Sequence, residues 1–508
     1  MHPRRAVLLG TLLFAAGLFA GRAPLILGAA GLRHDWSAAF DESRRLILDR
    51  ALWPANDATL MQGAIDGMLA TLGDPYSEFI PPALADGFDK ALSGRFSGIG
   101  ASLAQSDAGP VVIEPVPASP AYAAGLAPGD LITRIDGAPA AGLSIDRAAE
   151  LISGPEGSTV TLTVERTTTQ HHPPDAAGPP AGHPSATRTL TQDLTLTRGP
   201  IAVPSVRGVR FDPASAAGGA WQYLLDPALG VAYVRIEQFT ATTADETAAA
   251  LAQARAQAGG EPAALILDLR SNPGGALDQA TLVADMFLDR GVIVSTLGRA
   301  QLAAGPSASV PPQSVLNATP GTSLPASVPA LVLVDGLSAS ASEVLAGALR
   351  DNERAAVMGS RTFGKGAVQT IEPLLALPRA YLKLTEQLYA LPSGRVIQRQ
   401  PDAQTWGIDP DPGLAVTLTD AQTQALLLGR RAHQTVSPLP AQAAPRWDDP
   451  SWIESAVGDV QLAAALRAAR AKLAGGPWDP APTPTTPARA PAPAAPAAQS
   501  APAPAPLP

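Results

Sequence analysis

The sequence predicts a multidomain α/β protein with an inserted β-rich domain and flanking helices. The chain has 508 residues, of which 46% are apolar and only 16% charged, enough to bury several cores. Residues 95–167 consist of short β-type runs separated by Gly, Pro and Asp turns. From residue 191 onward, apolar strand-like runs alternate with Ala-rich helical runs, which is typical of a parallel sheet with crossover helices.

The amino terminus has the pattern of an export signal. Arg4 and Arg5 precede the uncharged apolar run 6–20, and a second apolar run, 23–32, follows. This charge order and length are typical of a secretory signal peptide. Residues 1–33 fit a cleaved leader and an uncleaved membrane anchor equally well. We therefore expect an exported protein of the periplasm or cell envelope that contacts a membrane only through this segment.

The segments that follow differ in pattern. Apolar positions three and four residues apart predict short helices before residue 94, with a break at Pro54, and one helical stretch, 145–152, lies within the β-rich part. The predicted segments are 1–33, signal peptide or membrane anchor; 34–94, helical region; 95–167, β-rich domain; 168–190, flexible insertion; 191–430, α/β core; 431–475, helical region; and 476–508, disordered Ala/Pro-rich tail.

The composition excludes several classes of function. A formal net charge of -9 without a long basic run gives no support for nucleic-acid binding. The chain has no Cys, so disulfides and thiol chemistry are excluded. We expect no cofactor and no metal, because the His pair at 171–172 lacks a third ligand at metal-site spacing.

Three loops after predicted strands carry the candidate chemistry, since α/β sheets present reactive groups beyond the carboxyl ends of their strands. The first loop, 270–275, reads Arg-Ser-Asn-Pro-Gly-Gly and follows the apolar strand 264–269. Its adjacent glycines let backbone N–H groups point at an oxyanion. Taken alone, these residues are more commonly explained by an ordinary tight turn.

The other two loops contain a candidate nucleophile and a candidate base. Loop 338–343 reads Ser-Ala-Ser-Ala-Ser-Glu and would expose a serine at a helix amino terminus, although ordinary capping with Glu343 in the first turn is the alternative. Loop 362–369 frames Lys365 with glycines and apolar residues. A lysine acts as a general base only when it is neutral, and apolar surroundings favour the neutral form. The alternative is that Lys365 is an ordinary solvated surface lysine.

The positions of the histidines narrow the choice of base. All six lie in the leader, the insertion or flanking regions, at His2, His34, His171, His172, His183 and His433. A Ser-His-Asp triad therefore has no evident base, and the reagents of cysteine and zinc peptidases are missing as well. If Ser340 is a nucleophile, Lys365 is its natural partner.

Taken together, the motifs between residues 36 and 412 resemble those of the carboxyl-terminal processing proteases, also called tail-specific proteases, in that family's order. The motifs are Gly73-Asp74-Pro75-Tyr76-Ser77, Phe96-Ser97-Gly98-Ile99-Gly100, Ala124-Gly125-Leu126 with Gly129-Asp130, Leu267-Asp268-Leu269-Arg270 with Asn272-Pro273-Gly274-Gly275, Ser338 to Glu343, and Thr362 to Gln369. The resemblance implies a serine endopeptidase with a ClpP/crotonase-like α/β core and an inserted PDZ domain.

The resemblance also implies roles for individual residues. Ser340 would be the nucleophile, Lys365 the general base 25 residues later, and Gln369 the residue that orients this lysine. Asp351 matches an acidic position implicated in some members, and a structural role at its helix end is equally compatible. The implied oxyanion donors are the backbone N–H groups of Gly274, Gly275 and Ala341.

Residues 95–167 resemble a PDZ domain whose carboxylate-binding loop is Phe96-Ser97-Gly98-Ile99-Gly100. Such domains add a protein's carboxyl terminus as an extra strand. The implied partners are proteins or peptides with apolar carboxyl termini, and binding of an adaptor or self-association is also compatible. For residues 95–167 alone, the alternative is a rigid β spacer. For the whole chain, one alternative is a catalytically silent PDZ adaptor, although such adaptors usually lack the serine or the lysine. The other is an enzyme that binds acyl thioesters at the glycine turn.

Overall fold

The computed structural model describes residues 35–93, 95–170, 186–215, 219–304, 311–439 and 445–480. The expected export segment, the centre of the expected insertion and nearly all of the Ala/Pro-rich tail lie outside these residues. Within the described ranges, no helix combines the length and the apolarity needed to cross a bilayer.

The chain divides into two compact units, the first of which ends at Pro75. Its described part contains helices α1 (Trp36–Arg50) and α2 (Asp57–Ala70). Asp35 caps α1 by accepting a hydrogen bond from the Ala38 N–H at 3.0 Å. The two short helices on either side of Pro54 are therefore confirmed.

The second unit contains the remaining elements. Its helices are α3 (Pro82–Ser93), α4 (Pro120–Ala123), α5 (Ile145–Ile152), α6 (Thr243–Ala258), α7 (Leu277–Asp285), α8 (Arg299–Ala304), α9 (Ala341–Asp351), α10 (Asp420–His433), α11 (Pro450–Trp452), a π-helical turn (Ile453–Val457) and α12 (Val460–Leu473). Its strands are β1 (Glu78–Ile80), β2 (Arg95–Gly98), β3 (Ala101–Ser106), β4 (Gly109–Pro115), β5 (Leu131–Ile135), β6 (Ala138–Pro139), β7 (Thr159–Gln170), β8 (Ala186–Thr197), β9 (Gly199–Ala202), β10 (Val206–Arg207), β11 (Arg210–Asp212), β12 (Ala220–Gln222), β13 (Leu224–Asp226), β14 (Val231–Ile236), β15 (Ala264–Asp268), β16 (Val292–Leu297), β17 (Ser314–Asn317), β18 (Ala330–Val334), β19 (Ala355–Gly359), β20 (Ala367–Pro373) and β21 (Tyr381–Ala390).

A six-stranded antiparallel sheet forms the β-rich domain, with strands in the order β3-β4-β5-β7-β8 and β6 beside β5. Strands β7 and β8 pair along twelve residues each, so the sheet reaches Thr197. The boundaries expected at residues 167 and 190 thus differ from the structure. Threonine and apolar residues alternate in much of both strands, a pattern that favours β-structure. The expected insertion was therefore too long, because it included strand residues on both sides of the Pro-, Gly- and His-rich segment.

The α/β core contains a second six-stranded sheet, in the order β10-β14-β15-β18-β19 with β13 beside β14. Strands β14, β15, β18 and β19 are parallel, and β15 and β18 are buried at every residue. Helices α6, α7 and α9 pack on one face and α12 on the other, which explains the nearly continuous apolar strands. The expected parallel α/β core is confirmed, whereas its ClpP/crotonase-like subtype stays a prediction.

The sheet topology brings the first two chemically interesting loops together. Strands β15 and β18 are parallel neighbours, so the loops that follow them emerge side by side. The third loop precedes β20, which pairs with β21 in a separate sheet of order β1-β21-β16-β17.

Candidate active site

Ser340 lies at the turn between β18 and α9 in a backbone conformation that residues with a side chain seldom adopt. Its φ is 56° and its ψ is -118°, and the residue is 8% exposed. Such a conformation costs about 1–3 kcal/mol and persists only where the surroundings impose it. It places the serine at the amino end of α9, where the helix dipole favours a developing negative charge.

The Glu343 carboxylate holds this turn against the loop that carries Lys365. Its Oε2 accepts the backbone N–H groups of Ser340 and Lys365, each at 2.8 Å, so the two backbone nitrogens lie within twice that distance of each other. Its Oε1 accepts the Gly364 N–H at 2.7 Å and the Thr362 hydroxyl at 2.6 Å. Burial raises the pKa of Glu343, and these four hydrogen bonds act in the opposite direction. Glu343, expected only as a first-turn residue, therefore connects the nucleophile loop to the base loop.

Lys365 is half-buried and contacts two polar or aromatic partners. Its Nζ donates to Gln369 Oε1 at 3.1 Å and lies 5.0 Å from the centre of the Tyr76 ring. Gln369 in turn donates from Nε2 to the Tyr76 carbonyl at 2.6 Å. Gln369 is therefore in hydrogen-bond contact with Lys365, and Tyr76, which the sequence analysis did not single out as a site residue, contacts both side chains.

The glycine turn after β15 packs directly on the nucleophile. A Cβ on Gly274 would meet the Ser340 Cβ at 2.8 Å and the Ala341 nitrogen at 3.0 Å, so only glycine fits there. However, the Gly274 N–H donates to Asn272 Oδ1 at 2.8 Å. This side-chain turn diverts the N–H from the expected oxyanion role and leaves Gly275 and Ala341 as the candidate donors.

Asn272 and Asp335 hold the glycine turn and the serine turn together. The Asn272 carbonyl accepts the Ala339 N–H and the Ser342 hydroxyl, both at 3.0 Å. Asp335 accepts the N–H groups of Ser271 at 2.9 Å and of Leu337 at 3.0 Å through a single oxygen, Oδ1. An asparagine at position 335 could accept these two bonds in the same way, through its side-chain carbonyl.

Tyr389 on β21 is a further residue at the nucleophile. Its N–H donates to the Gly366 carbonyl at 2.7 Å, beside Lys365, and the residue is 4% exposed. Burial raises the pKa of its phenol to about 12, although a hydrogen bond with Ser340 acts in the opposite direction. No local sequence pattern marked this residue.

Asp351 lies far from the nucleophile. It ends the helix that begins after Ser340, about 15 Å further along the axis at 1.5 Å per residue. Its Oδ2 accepts the Ser393 N–H at 3.1 Å. This geometry fits the structural reading of Asp351 and not the accessory catalytic one.

A buried charge cluster lies beneath the glycine turn. Arg270 is 0% exposed and pairs with Asp268 at 2.6 Å and with Asp459 at 2.7 Å. Burial alone would raise the pKa of Asp268, but Arg270 and then Arg430 hold it well below its usual range. Because Asp459 caps α12, the cluster links the strand before the turn to the carboxyl-terminal helix.

The expected carboxylate loop begins as strand β2, which pairs with β9 in the register Phe96 to Ile201. Ser97 donates from Oγ to the Gly154 carbonyl at 3.0 Å. At Gly100 φ is +77° and an added Cβ would meet the Ser119 Cβ at 2.4 Å, so the backbone turns where only glycine fits. The loop leads into β3, which is an edge strand of its sheet in the described residues, next to α5.

Comparisons with known proteins match three segments of this chain to known families. Residues 230–413 match peptidase family S41, residues 111–166 match a PDZ domain, and residues 35–81 match the activating protease CtpB N-terminal domain. The chain is 32% identical over 441 residues to a carboxy-terminal-processing protease of Bartonella bacilliformis, covering 84% of this chain and 86% of that protein. It is 30% identical over 419 residues to a CtpA-like serine protease of Staphylococcus haemolyticus, covering 80% and 72%.

A solved structure of the photosystem II D1 C-terminal processing protease also matches, with 28% identity over 75% of this chain and 86% of that chain and a TM-score of 0.37. The family assignment does not depend on it, since the sequence match to the Bartonella protein spans most of both chains. The chain therefore belongs to the carboxy-terminal-processing serine proteases of peptidase family S41 and carries a PDZ domain.

Proposed function

We propose that the protein is an exported endopeptidase that cleaves substrates selected by their carboxyl termini, with Ser340 as nucleophile and Lys365 as general base. The observation that carries this proposal is the Glu343 carboxylate, which binds the backbone N–H groups of both residues through a single oxygen. A serine in an imposed conformation at a helix amino terminus then lies beside a lysine-bearing loop.

In the proposed reaction, neutral Lys365 removes the hydroxyl proton as Ser340 Oγ attacks the peptide carbonyl carbon. The N–H groups of Ala341 and Gly275 stabilise the oxyanion. Lys365 then donates its proton to the leaving amine, the C–N bond breaks, and an ester on Ser340 remains. In the second half, Lys365 takes a proton from water, the hydroxide attacks the ester, and the proton returns to Ser340.

The orientation of Lys365 is part of this proposal. Gln369 accepts one Nζ hydrogen and is itself fixed by the Tyr76 carbonyl, so the amine is held in one direction. A preorganised base increases the reaction rate because it does not have to reorient before it accepts the proton.

We further propose that the PDZ domain binds substrate carboxyl termini at loop 96–100 and along the edge of β3. This domain is joined to the core by Glu114, which pairs with Arg207 at 2.6 Å and accepts the Val436 N–H at 3.0 Å. The domain order in this proposal is the export segment 1–33, the helical region, the PDZ sheet extended to residue 197, the core and carboxyl-terminal helices, and the tail.

The direct test is cleavage of an unfolded protein with a free apolar carboxyl terminus by the wild type and by Ser340→Ala. We expect cleavage by the wild type alone. A folded wild type that binds such termini without cleaving them would indicate instead a silent PDZ adaptor.

A further inference from the structure

Two arginine side chains lie against the Trp406 ring beside the base loop. The guanidinium carbon of Arg361 lies 4.4 Å from the centre of the Trp406 ring, and that of Arg399 lies 4.6 Å from it. Both distances are within the range of cation–π contacts. All three side chains are partly exposed, so the stack faces solvent.

The two arginines differ in their other partners. Arg361 pairs with Asp409 and donates to the Gln404 carbonyl at 3.0 Å. The Arg399 guanidinium makes no hydrogen bond and no ion pair in the part of the chain that the structure describes. A guanidinium in cation–π contact with an indole still has N–H donors available for a two-pronged bond to a carboxylate. Among the described residues, Arg399 is therefore a cation with an aromatic partner but no anionic one.

The stack lies directly against the loop that carries the base. The Arg399 N–H donates to the Gly364 carbonyl at 2.8 Å. A Cβ on Gly364 would meet Trp406 Cδ1 at 2.6 Å and the Arg399 Cβ at 3.0 Å, so the stack packs onto the backbone immediately before Lys365. Arg399 therefore packs against the residue that immediately precedes Lys365, the proposed base at the scissile bond.

We propose that Arg399, supported by Trp406, is a specificity-determining residue that binds a carboxylate of the peptide substrate close to the scissile bond. This inference rests on the proposed function of the site. The carboxylate has two sources, an acidic side chain next to the bond or the free end of a short leaving fragment. Both present the same planar anion to the guanidinium.

The test compares the preference of the full-length enzyme for a carboxylate at each position around the bond. One set of quenched fluorescent peptides exchanges Asp for Asn at a single position. In the second set, the varied positions all carry Asn and the fragment released from the carboxyl-terminal side of the bond is short. Its members differ only in whether the carboxyl terminus of that fragment is free or amidated. The measured quantity is the ratio of kcat/KM for the acidic peptide to that for its neutral twin, in which general effects of a substitution cancel.

We expect the wild type to prefer the carboxylate in one of the two sets, and the position that shows the preference identifies the source. Arg399→Ala should reduce this ratio about fivefold to tenfold, since a half-buried charged hydrogen bond is stronger than an exposed ion pair. Arg399→Lys should keep part of the ratio. Arg290→Ala removes one exposed charge elsewhere and should leave the ratio unchanged.

Arg399→Glu provides a variant whose expected result cannot arise from misfolding. It should reverse the preference in favour of a peptide with Lys at the same position. Equal ratios for the wild type and Arg399→Ala in both peptide sets would overturn the inference. The same dyad would cleave neutral peptides, so these peptides test the proposed function independently of Arg399. Cleavage of a neutral peptide by Ser340→Ala would contradict the proposed function and leave the role of Arg399 to the ratios.

Discussion

Replacing Glu343 by Gln tests whether this carboxylate assembles the dyad. Each of its oxygens accepts two hydrogen bonds, from Ser340 and Lys365 at Oε2 and from Gly364 and Thr362 at Oε1. An amide NH₂ in place of Oε2 would face two N–H donors. With the amide rotated so that its NH₂ takes the place of Oε1, the NH₂ would face the Gly364 N–H. In both orientations, at least one buried backbone N–H therefore loses its acceptor.

The size of the effect follows from these contacts. An unpaired buried N–H costs about 1–3 kcal/mol, and the remaining bonds lose their charge assistance. We therefore expect Glu343→Gln to lower the free energy of unfolding by about 2–4 kcal/mol. We also expect kcat to fall about 100-fold, because displacing reacting groups by about 1 Å has an effect of that order.

The assay combines denaturant unfolding with steady-state cleavage of a neutral fluorogenic peptide at a temperature where all variants are folded. Glu353→Gln is the matched control, since it removes an exposed carboxylate just beyond the same helix. Wild-type stability and turnover in Glu343→Gln would show that the carboxylate does not organise the site.

Three further predictions concern the dyad, the buried cluster and the PDZ loop. Ser340→Ala and Lys365→Ala should each abolish hydrolysis without changing the circular dichroism spectrum, and the wild-type rate should rise from neutral to mildly alkaline pH as Lys365 becomes neutral; a rate governed by a group that titrates near pH 4 would indicate a carboxylate base. Arg270→Met should lower the free energy of unfolding by about 3–5 kcal/mol, because two buried carboxylates lose their main partner. The folded-state pKa of Asp268 lies below its unfolded value, so the Asp268–Arg270 pair stabilises the wild type fully above pH ~4 and loses this effect as the pH falls through the folded-state pKa. Acid unfolding of Arg270→Met should therefore begin at a higher pH than that of the wild type. Unchanged unfolding curves would contradict this expectation. Amidating the apolar carboxyl terminus of a long substrate should slow its cleavage, whereas equal rates would exclude selection by the terminal carboxylate.

The positions of the catalytic candidates could be predicted because each lies in a short loop next to a strongly apolar strand. Ser340, Lys365 and Gln369 stand in distinct local patterns, and the parallel pairing of β15 with β18 brings the first two loops together. The parallel core could likewise be predicted from alternating strand and helix runs.

Contacts between distant segments could not be predicted in this way. Tyr76 and Tyr389 reach the site through tertiary packing and have no local signature. The direction of the Gly274 N–H depends on the Asn272 side chain, so the glycine pair alone identified the turn but not its donors. Glu343 looked like an ordinary first-turn carboxylate because its three additional donors come from another loop.

The most direct test of the central claim is to trap the acyl-enzyme. A slowly deacylating ester substrate is mixed with the protein, the reaction is quenched in acid, and the modified residue is located by peptide mass spectrometry. We expect the mass of the acyl group on Ser340 in the wild type and no adduct in Ser340→Ala or Lys365→Ala. Turnover of the ester with no adduct on Ser340, together with activity in Ser340→Ala, would contradict the central claim.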